Sequence, residues 1–357
     1  MTVLLVPAAG DSTRFELNRP KFLLQHPFGR TMLAASLSGL RESVKDGVKA
    51  VFIVMREEHL IGISQEKLSE QICEVLDIQP EFVLLPERTN SQVETILKGI
   101  EAIGSDEPLI IKDCDNYIEL TEKSNTLQEN YVAFANLRKF PKVVAFNKAF
   151  IQLDEEGKLL SIYEKEIVSP NIYVGLAKFS LASTFIAAHL AIEKQGISFV
   201  SDIVRIMIDQ GYDFRTREVS QYSDWGTISD WRQYLDEFQT LFVDIDGVLS
   251  YNMSPISISK GWDTFDPIED NLQVLLEKQY EGRTKIVFVT SRSSKYRETL
   301  IEKLHILGFT NFELLCDMPH CKRVLVNDYA DTNCYPTALA LNLPRNQPGL
   351  RKMLENL

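Results

Sequence analysis

The chain has 357 residues, 45% of them apolar and 10% aromatic, which is enough to bury more than one core and excludes a largely disordered protein. Acidic residues outnumber basic ones 50 to 38, for a net charge of −12; this excludes a broad nucleic-acid surface but not a small anion held by a few local donors. The five cysteines are scattered, no apolar stretch approaches the roughly 18 residues of a spanning helix, and MTVLLVPAAG lacks the basic region of a signal peptide, so a cytoplasmic protein with no membrane insertion is expected.

From the start, short β-branched runs alternate with longer amphipathic stretches. TVLLVPA, AVFIVM (50–55) and PLIIKD (108–113) read as strands, and TMLAASLSGLRESV and SQVETILKGIEAIG as helices between them. Such alternation calls for a mostly parallel sheet with helices on both faces. From about Tyr131 strand-like runs dominate (YVAFANL, KVVAFN, NIYVGLAKFS), which predicts an antiparallel elaboration of the same sheet. SDWRQYLDEFQ reads as a closing helix or connector. The α/β rhythm then restarts with strand TLFVDID, helix NLQVLLEK, strand TKIVFVTS, helix KYRETLIEKLHILG and strand RVLVND. An α/β protein of two domains, 1–238 and 239–357, is predicted, with Arg345 and Arg351 on a solvated final helix.

Directly after the first strand comes PAAGDSTRF. Its small residues Ala8, Ala9 and Gly10 let backbone N–H groups approach an anion, Ser12 and Thr13 add hydroxyls, and Arg14 adds a fork of charge. Shortly downstream, RPKFLL brings Lys21 to the same anion. Neither a dinucleotide fingerprint nor a P-loop is present.

With its partners, this loop resembles that of the nucleotidyltransferases that make nucleotide sugars from a nucleoside triphosphate and a sugar 1-phosphate. Gly10, Thr13, Arg14, Pro20 and Lys21 match the signature of that family, while Ser12 stands where a second glycine is common. The resemblance covers the chain to about residue 235 and implies a Rossmann-like nucleotidyltransferase domain. By the same resemblance, KDCDNY offers Asp115 as a metal-binding carboxylate, with Asp113 the second choice on that strand end. SDWGTISDW offers Asp224 as the other, SQVETILKGI places Gln92 and Thr95 against the base, and EKEIVSPNIYVGLAKFS places Glu164, Lys165 and Gly175 around the acceptor. Two carboxylates suit the chemistry. Two anionic groups must meet at the α-phosphorus, and Mg²⁺ on Asp115 and Asp224 would neutralise them while Arg14 and Lys21 stabilise the transferring and departing phosphates.

LFVDIDGVLS poses a second site. In a strand, positions i and i+2 share a face, so Asp244 and Asp246 point the same way at its C-terminal end, where open α/β sheets place ligands. Two like-facing acids on an apolar strand need a cation or substrate to balance them. The run DIDGVL resembles the first motif of the haloacid dehalogenase superfamily, mostly phosphatases, in which the first Asp is nucleophile and the second general acid and base. That resemblance implies a Rossmannoid parallel sheet, with Thr290 orienting the phosphate and Asp328 holding Mg²⁺ beside Asp244 and Asp246. Asp331 would support Asp328, and Lys322 or Arg323 would supply the basic group, Lys322 being preferred. Too few residues separate Asp246 from Thr290 to fold a cap. Selection then falls to the intervening loop, with Trp262 and Phe265, to the first domain, or to a second subunit of a homo-oligomer.

Cys316, His320, Cys321 and Cys334 lack paired zinc spacings and read as ordinary residues, and His26 reads as a turn histidine. The combined expectation is a bifunctional, Mg²⁺-dependent enzyme acting on a nucleoside triphosphate and a phosphorylated sugar or polyol. Fusions of this kind resemble those of bacterial surface-polysaccharide pathways. The alternative is a phosphatase whose first domain only binds a nucleotide or sugar.

Overall fold

The first strand, β1 (Thr2–Pro7), is buried along its whole length. Leu4 and Val6 enter one apolar cluster and Val3 and Leu5 another, so the period of two splits a continuous apolar run between both faces of a sheet. In the computed structural model, which describes residues 2–10, 20–45, 47–121, 129–191, 199–253, 256, 261–262, 264–327 and 338–356, β1 lies between two parallel neighbours, β2 (Val48–Arg56) and β4 (Leu109–Lys112). Outside β2 lies β3 (Pro80–Leu85), also parallel.

Beyond β4 the sheet turns mixed. Antiparallel β9 (Asn171–Phe179) pairs with β4, followed by β6 (Tyr131–Asn136), β10 (Arg215–Asp224) and β5 (Asn116–Leu120), in the order β3-β2-β1-β4-β9-β6-β10-β5. The hairpin of β7 (Ala149–Leu153) and β8 (Leu159–Glu164) joins through Phe150 opposite Ile172. Two sequence expectations change here. KVVAFN is not a strand: residues 145–147 form a 3₁₀ turn, and the strand begins at Ala149, where burial starts. The helix read through TMLAASLSGLRESV stops at Ser38 and resumes at Arg41; at the break Gly39 lets the Ile118 carbonyl of β5 approach, since a Cβ there would fall 2.2 Å from it.

The chain divides into two compact units, Met1–Leu235 and Asp236–Leu357. In the second, β11 (Gln239–Asp244), β12 (Thr284–Val289) and β13 (Phe312–Leu315) form a parallel sheet in that order, with helices Glu269–Tyr280 and Arg297–Ile306 packed through Leu272, Leu275, Leu300 and Leu304. The third strand is FELL, not RVLVND. Residues 322–327 lie outside any strand, with Val326 89% exposed. Composition marks a segment as able to pair but not whether an edge receives it. The tail also departs from expectation. Leu350 of the helix Leu350–Leu354 is buried, and its N–H donates to Asn271 Oδ1 at 3.1 Å, while Asn271 Nδ2 donates to the carbonyls of Val248 (2.8 Å) and Gln347 (3.1 Å). This docks the terminus behind the DIDG turn. Among the described residues no helix is long and apolar enough to cross a membrane.

Candidate active site

Parallel β1 and β4 end on the same edge of the large sheet, as do β10 and the start of antiparallel β9. A cavity of about 900 Å³ opens there. It is lined by Ala8, Ala9, Gly10, Lys21, Gln92, Thr95, Asp113, Asp115, Glu164, Lys165, Gly175 and Asp224, so every described residue proposed for the first site meets in one place. Ser12, Thr13 and Arg14 lie outside the described residues. One detail of the loop differs: the Ala8 N–H is taken by the Val54 carbonyl at 2.7 Å, so the approach to an anion falls to Ala9 and Gly10, where an added Cβ would meet nothing within 4 Å of Gly10.

The turn after β4 carries the carboxylates. The Lys21 ammonium binds Asp115 and donates to the Gly226 carbonyl at 3.2 Å. Burial of Asp115 would raise its pKa, but the Lys21 charge outweighs this and holds the carboxyl below the usual carboxylate range. Lys148 Nζ lies 2.7 Å from Asp224 Oδ2; burial opposes its charge, yet Tyr222 and Asp224 hold its pKa above the ordinary lysine value. A Cβ on Gly226 would lie 3.3 Å from Asp224 Oδ1 and 3.8 Å from Asp115 Oδ2, so both carboxylates converge on one point. Two converging oxygen donors, open to a cavity where phosphates can complete the shell, fit Mg²⁺.

Asp113 is placed differently. Its N–H donates to the Gly175 carbonyl at 2.8 Å, and Gln92 Nε2 donates to its Oδ1 at 2.5 Å. Burial, then the neighbouring Asp115 charge, pushes its pKa up to about 6. Gly175 has φ +73°, and a Cβ there would fall 2.1 Å from Asp113 Oδ2, so this glycine makes room for the carboxylate. Behind the turn, Lys112 is fully buried and donates to the Asp113 carbonyl (2.6 Å), to the Asn116 carbonyl (3.0 Å) and to the Asn116 side chain; burial lowers its pKa to about 8.

On the opposite wall, Glu164 accepts from Ser201 Oγ at 2.7 Å, and Lys165, at φ +59°, holds its ammonium 5.5 Å from the Phe199 ring centroid. Thr95 Oγ1 contacts Thr89 Oγ1 at 2.6 Å, beside the N-terminus of helix Gln92–Ile103 that Ser91 caps. His26 opens a turn, as its sequence suggests, with the Gly29 N–H donating to its carbonyl at 2.9 Å, but its side chain is buried. Its Nε2 meets Tyr234 OH at 2.8 Å, and its ring packs with Trp225, Trp231 and Tyr234. Burial, with the Arg30 charge, lowers its pKa to about 4. Trp225 follows Asp224 and donates its N–H to the Asp115 carbonyl at 2.9 Å, so this aromatic box fixes one carboxylate segment against the other.

In the second unit, Asp244 ends β11 and Thr290 follows β12 on the same edge. Here the structure brings in a residue that no motif singled out, Arg292, with a fully buried side chain. Its Nε donates to both Asp246 oxygens at 3.1 Å, its Nη2 to Oδ1 at 2.7 Å, and its Nη1 to the carbonyls of Trp262 (2.8 Å) and Thr264 (2.7 Å). Thr290 Oγ1 donates to Asp246 Oδ2 at 3.0 Å and accepts from the Arg292 N–H at 3.0 Å. Both oxygens of Asp246 are thus committed within the protein. Arg323, not the preferred Lys322, reaches Asp244, at 3.2 and 3.3 Å. Asp328, Asp331 and Cys334 lie outside the described residues. Phe265 packs on the core with its ring centroid 5.7 Å from the Arg292 guanidinium, and Trp262 meets Tyr296 edge-on at 6.3 Å. The signal for Arg292 was its spacing: it stands two residues beyond Thr290, as Asp246 does beyond Asp244.

The mixed sheet, its strand order and the cavity on its edge define the N-terminal part of the chain as a nucleotidyltransferase-like fold. It is similar to a nucleoside-diphosphate-sugar pyrophosphorylase from Vibrio cholerae RC9, at a TM-score of 0.56 and 16% identity over 65% of this chain and 99% of that one. Inositol-1-phosphate CTP transferase from T. maritima (TM-score 0.48, 12% identity, 64% of this chain and 90% of that one) and an apo UDP-glucose pyrophosphorylase (0.48, 18%, 65% and 95%) are further similar structures. No family model and no curated protein matches the sequence.

Proposed function

We propose that the chain is a bifunctional enzyme of activated-sugar or activated-polyol supply. Residues 1–238 transfer a nucleotidyl group from a nucleoside triphosphate to a phosphorylated sugar or polyol, and residues 239–357 hydrolyse a phosphate ester of such a compound. The observation that carries the first half is the meeting of Asp115 and Asp224 with Lys21 and Lys148 in one large cavity.

In the transfer, a phosphate oxygen of the acceptor attacks the α-phosphorus, the bond to the bridging oxygen breaks, and pyrophosphate leaves. Lys21, with Arg14, takes up charge on the departing phosphates. Ala9, Gly10, Ser12 and Thr13 cradle the triphosphate, Gln92 and Thr95 border the base, and Glu164, Lys165 and Gly175 form the acceptor wall. Mg²⁺ at Asp115 and Asp224 would supply charge neutralisation between the two anions.

In the hydrolysis, Asp244 attacks phosphorus to form an aspartyl-phosphate while the leaving alkoxide takes a proton from Asp246. Water, deprotonated by Asp246, then releases inorganic phosphate and restores Asp244. Arg292 orients the Asp246 carboxyl, Oδ2 exchanges the Thr290 hydroxyl for the leaving oxygen and then for water in the two proton transfers, and Arg323 supplies charge at Asp244. Mg²⁺ at Asp244 and Asp328 belongs to the same proposal.

The test is pyrophosphate release from each of the four nucleoside triphosphates with a panel of sugar and polyol phosphates, alongside phosphate release from the same panel. Asp224→Ala is expected to abolish the first and spare the second, and Asp244→Asn the reverse. Phosphate release without pyrophosphate release under any pairing would reduce the first unit to a binding module.

A further inference from the structure

Lys148 is a cation of the large cavity that no sequence motif accounts for. It stands immediately before β7, and its carbonyl accepts from the Lys165 N–H at 3.0 Å, while its neighbour Ala149 pairs with Glu164 across the hairpin. The backbone of Lys148 is therefore fixed beside the acceptor wall, yet its ammonium sits 2.7 Å from Asp224 Oδ2. One side chain spans the distance from the acceptor wall to the carboxylate pair. Lys21 makes the equivalent contact with Asp115. Each ammonium thus neutralises a carboxylate whose oxygens also converge over Gly226. A divalent cation binding those oxygens brings a second positive charge against each ammonium, and like charges at that range repel strongly in a buried site.

We propose that Lys148 is a metal-exchanged ligand of the acceptor phosphate: it holds Asp224 until a divalent cation binds, and the displaced ammonium then takes the phosphate of the incoming sugar or polyol. The exchange uses what the fold already provides. A displaced Lys148 stays tethered by β7 next to Glu164 and Lys165, where the nearest mobile anion is the attacking phosphate. Neutralising that phosphate is what lets one anion approach another. The acceptor half of this inference rests on the nucleotidyl-transfer reading; the exchange half does not.

The exchange is tested on the full chain without substrates. Lys148→Gln is expected to tighten Mn²⁺ binding, measured by calorimetry, by about tenfold or more, because a competing charge leaves the ligand shell; Lys148→Arg, which keeps the charge, stays within about threefold of wild type. In the wild-type protein, which needs no variant to fold, Mn²⁺ is expected to increase amine labelling of Lys148 read by mass spectrometry. Unchanged or weaker Mn²⁺ affinity in Lys148→Gln, or labelling indifferent to Mn²⁺, overturns the exchange. With substrates, Lys148→Gln is expected to raise KM for the acceptor by about tenfold while KM for the nucleotide moves less than about threefold. Equal effects on both constants overturn the acceptor assignment. If wild-type protein releases no pyrophosphate with any pair, the acceptor half falls with the transfer reading, and the Mn²⁺ and labelling results still decide the exchange.

Discussion

Two pairs of carboxylates stand at strand ends in this chain, and different cations hold them. In the N-terminal unit Asp115 and Asp224 each take a lysine, a compact point charge on a flexible stem. In the C-terminal unit Asp246 takes Arg292, a planar fork buried completely and anchored on two loop carbonyls as well. A point charge can be exchanged for a metal or a phosphate. A fork bonded to both oxygens of a carboxylate and to the carbonyls of Trp262 and Thr264 cannot leave without unmaking those loop contacts. The lysine-held pair is suited to partners that come and go, and the arginine-held carboxyl to a fixed orientation.

Removing the fork is the severest way to break this contrast. Arg292→Met strips the Asp246 carboxylate of its charged partner, leaving it the Thr290 hydroxyl, and takes the Arg292 donors from two loop carbonyls; breaking one side of a buried pair costs about 3–5 kcal/mol. The expected outcome in urea denaturation is a large loss of midpoint confined to the transition of the C-terminal unit, with pyrophosphate release unaffected. A loss below about 1 kcal/mol would put Arg292 in the class of ordinary surface pairs and erase the distinction.

The next largest effect is expected from space rather than charge. Asp113 is held at its carboxyl by Gln92 and fitted into the room left by Gly175. Gly175→Ala adds a methyl where φ is +73° and the carboxylate already stands, for an expected cost of about 2–4 kcal/mol to the N-terminal unit. Pyrophosphate release should fall with it. Normal stability and normal transfer in Gly175→Ala would show that the carboxylate has slack, and that Asp113 is not positioned by this contact.

How far the sequence revealed these sites follows from the kind of signal each residue leaves. Asp115, Asp244 and Asp246 were legible because an acid ending or following an apolar strand stands out against it; Asp224, at the end of the polar run RTREVSQYSD, was legible only through the resemblance carried by SDWGTISDW. Lys148 was not, since its partner Asp224 is distant in sequence and an isolated lysine looks like any solvated one. Lys112 was equally hidden: a lysine at the end of an apolar run reads as the strand reaching solvent, whereas it caps the Asp113–Asn116 turn from inside. Strands surrounded on both faces, such as β1, announced themselves. RVLVND misled because β-branched composition is local, whereas pairing depends on a free edge elsewhere. His26 does open a turn, but the burial of its ring was hidden, because the aromatic residues that bury it come from the far end of the unit, around Trp225 and Tyr234.

That aromatic box gives a pH test of how the lysine-held pair is supported. The pKa of His26 falls from 6.5 to about 4 on folding, so between those values the unfolded chain binds the extra proton. Stability must therefore be lost as pH drops from 6.5 towards 4, by about 2–3 kcal/mol at the lower end. Other groups titrate in the same window, and the difference between wild type and His26→Gln isolates this one. That difference should shrink steadily on acidification. A flat difference across the window would mean that the ring is open to water and that the box does not clamp Asp224 against Asp115.

The smallest expected effect on stability falls on the residue whose identity was least legible, the basic partner of Asp244. Arg323 and Asp244 form an ion pair with both side chains partly exposed, worth under about 1 kcal/mol to folding. Arg323→Ala and Lys322→Ala should therefore unfold at nearly the same urea concentration as wild type. Phosphate release separates them. Asp244 must be ionised to attack phosphorus, and the guanidinium beside it also favours the developing charge on the phosphoryl oxygens, so Arg323→Ala is expected to slow turnover by about a hundredfold. Lys322→Ala should leave it within about threefold, since of the two it is Arg323 that bonds Asp244. The reverse ranking would mean that the Asp244–Arg323 pair is a resting contact that substrate dissolves, making this site, like the lysine-held one, a place where cations change partners.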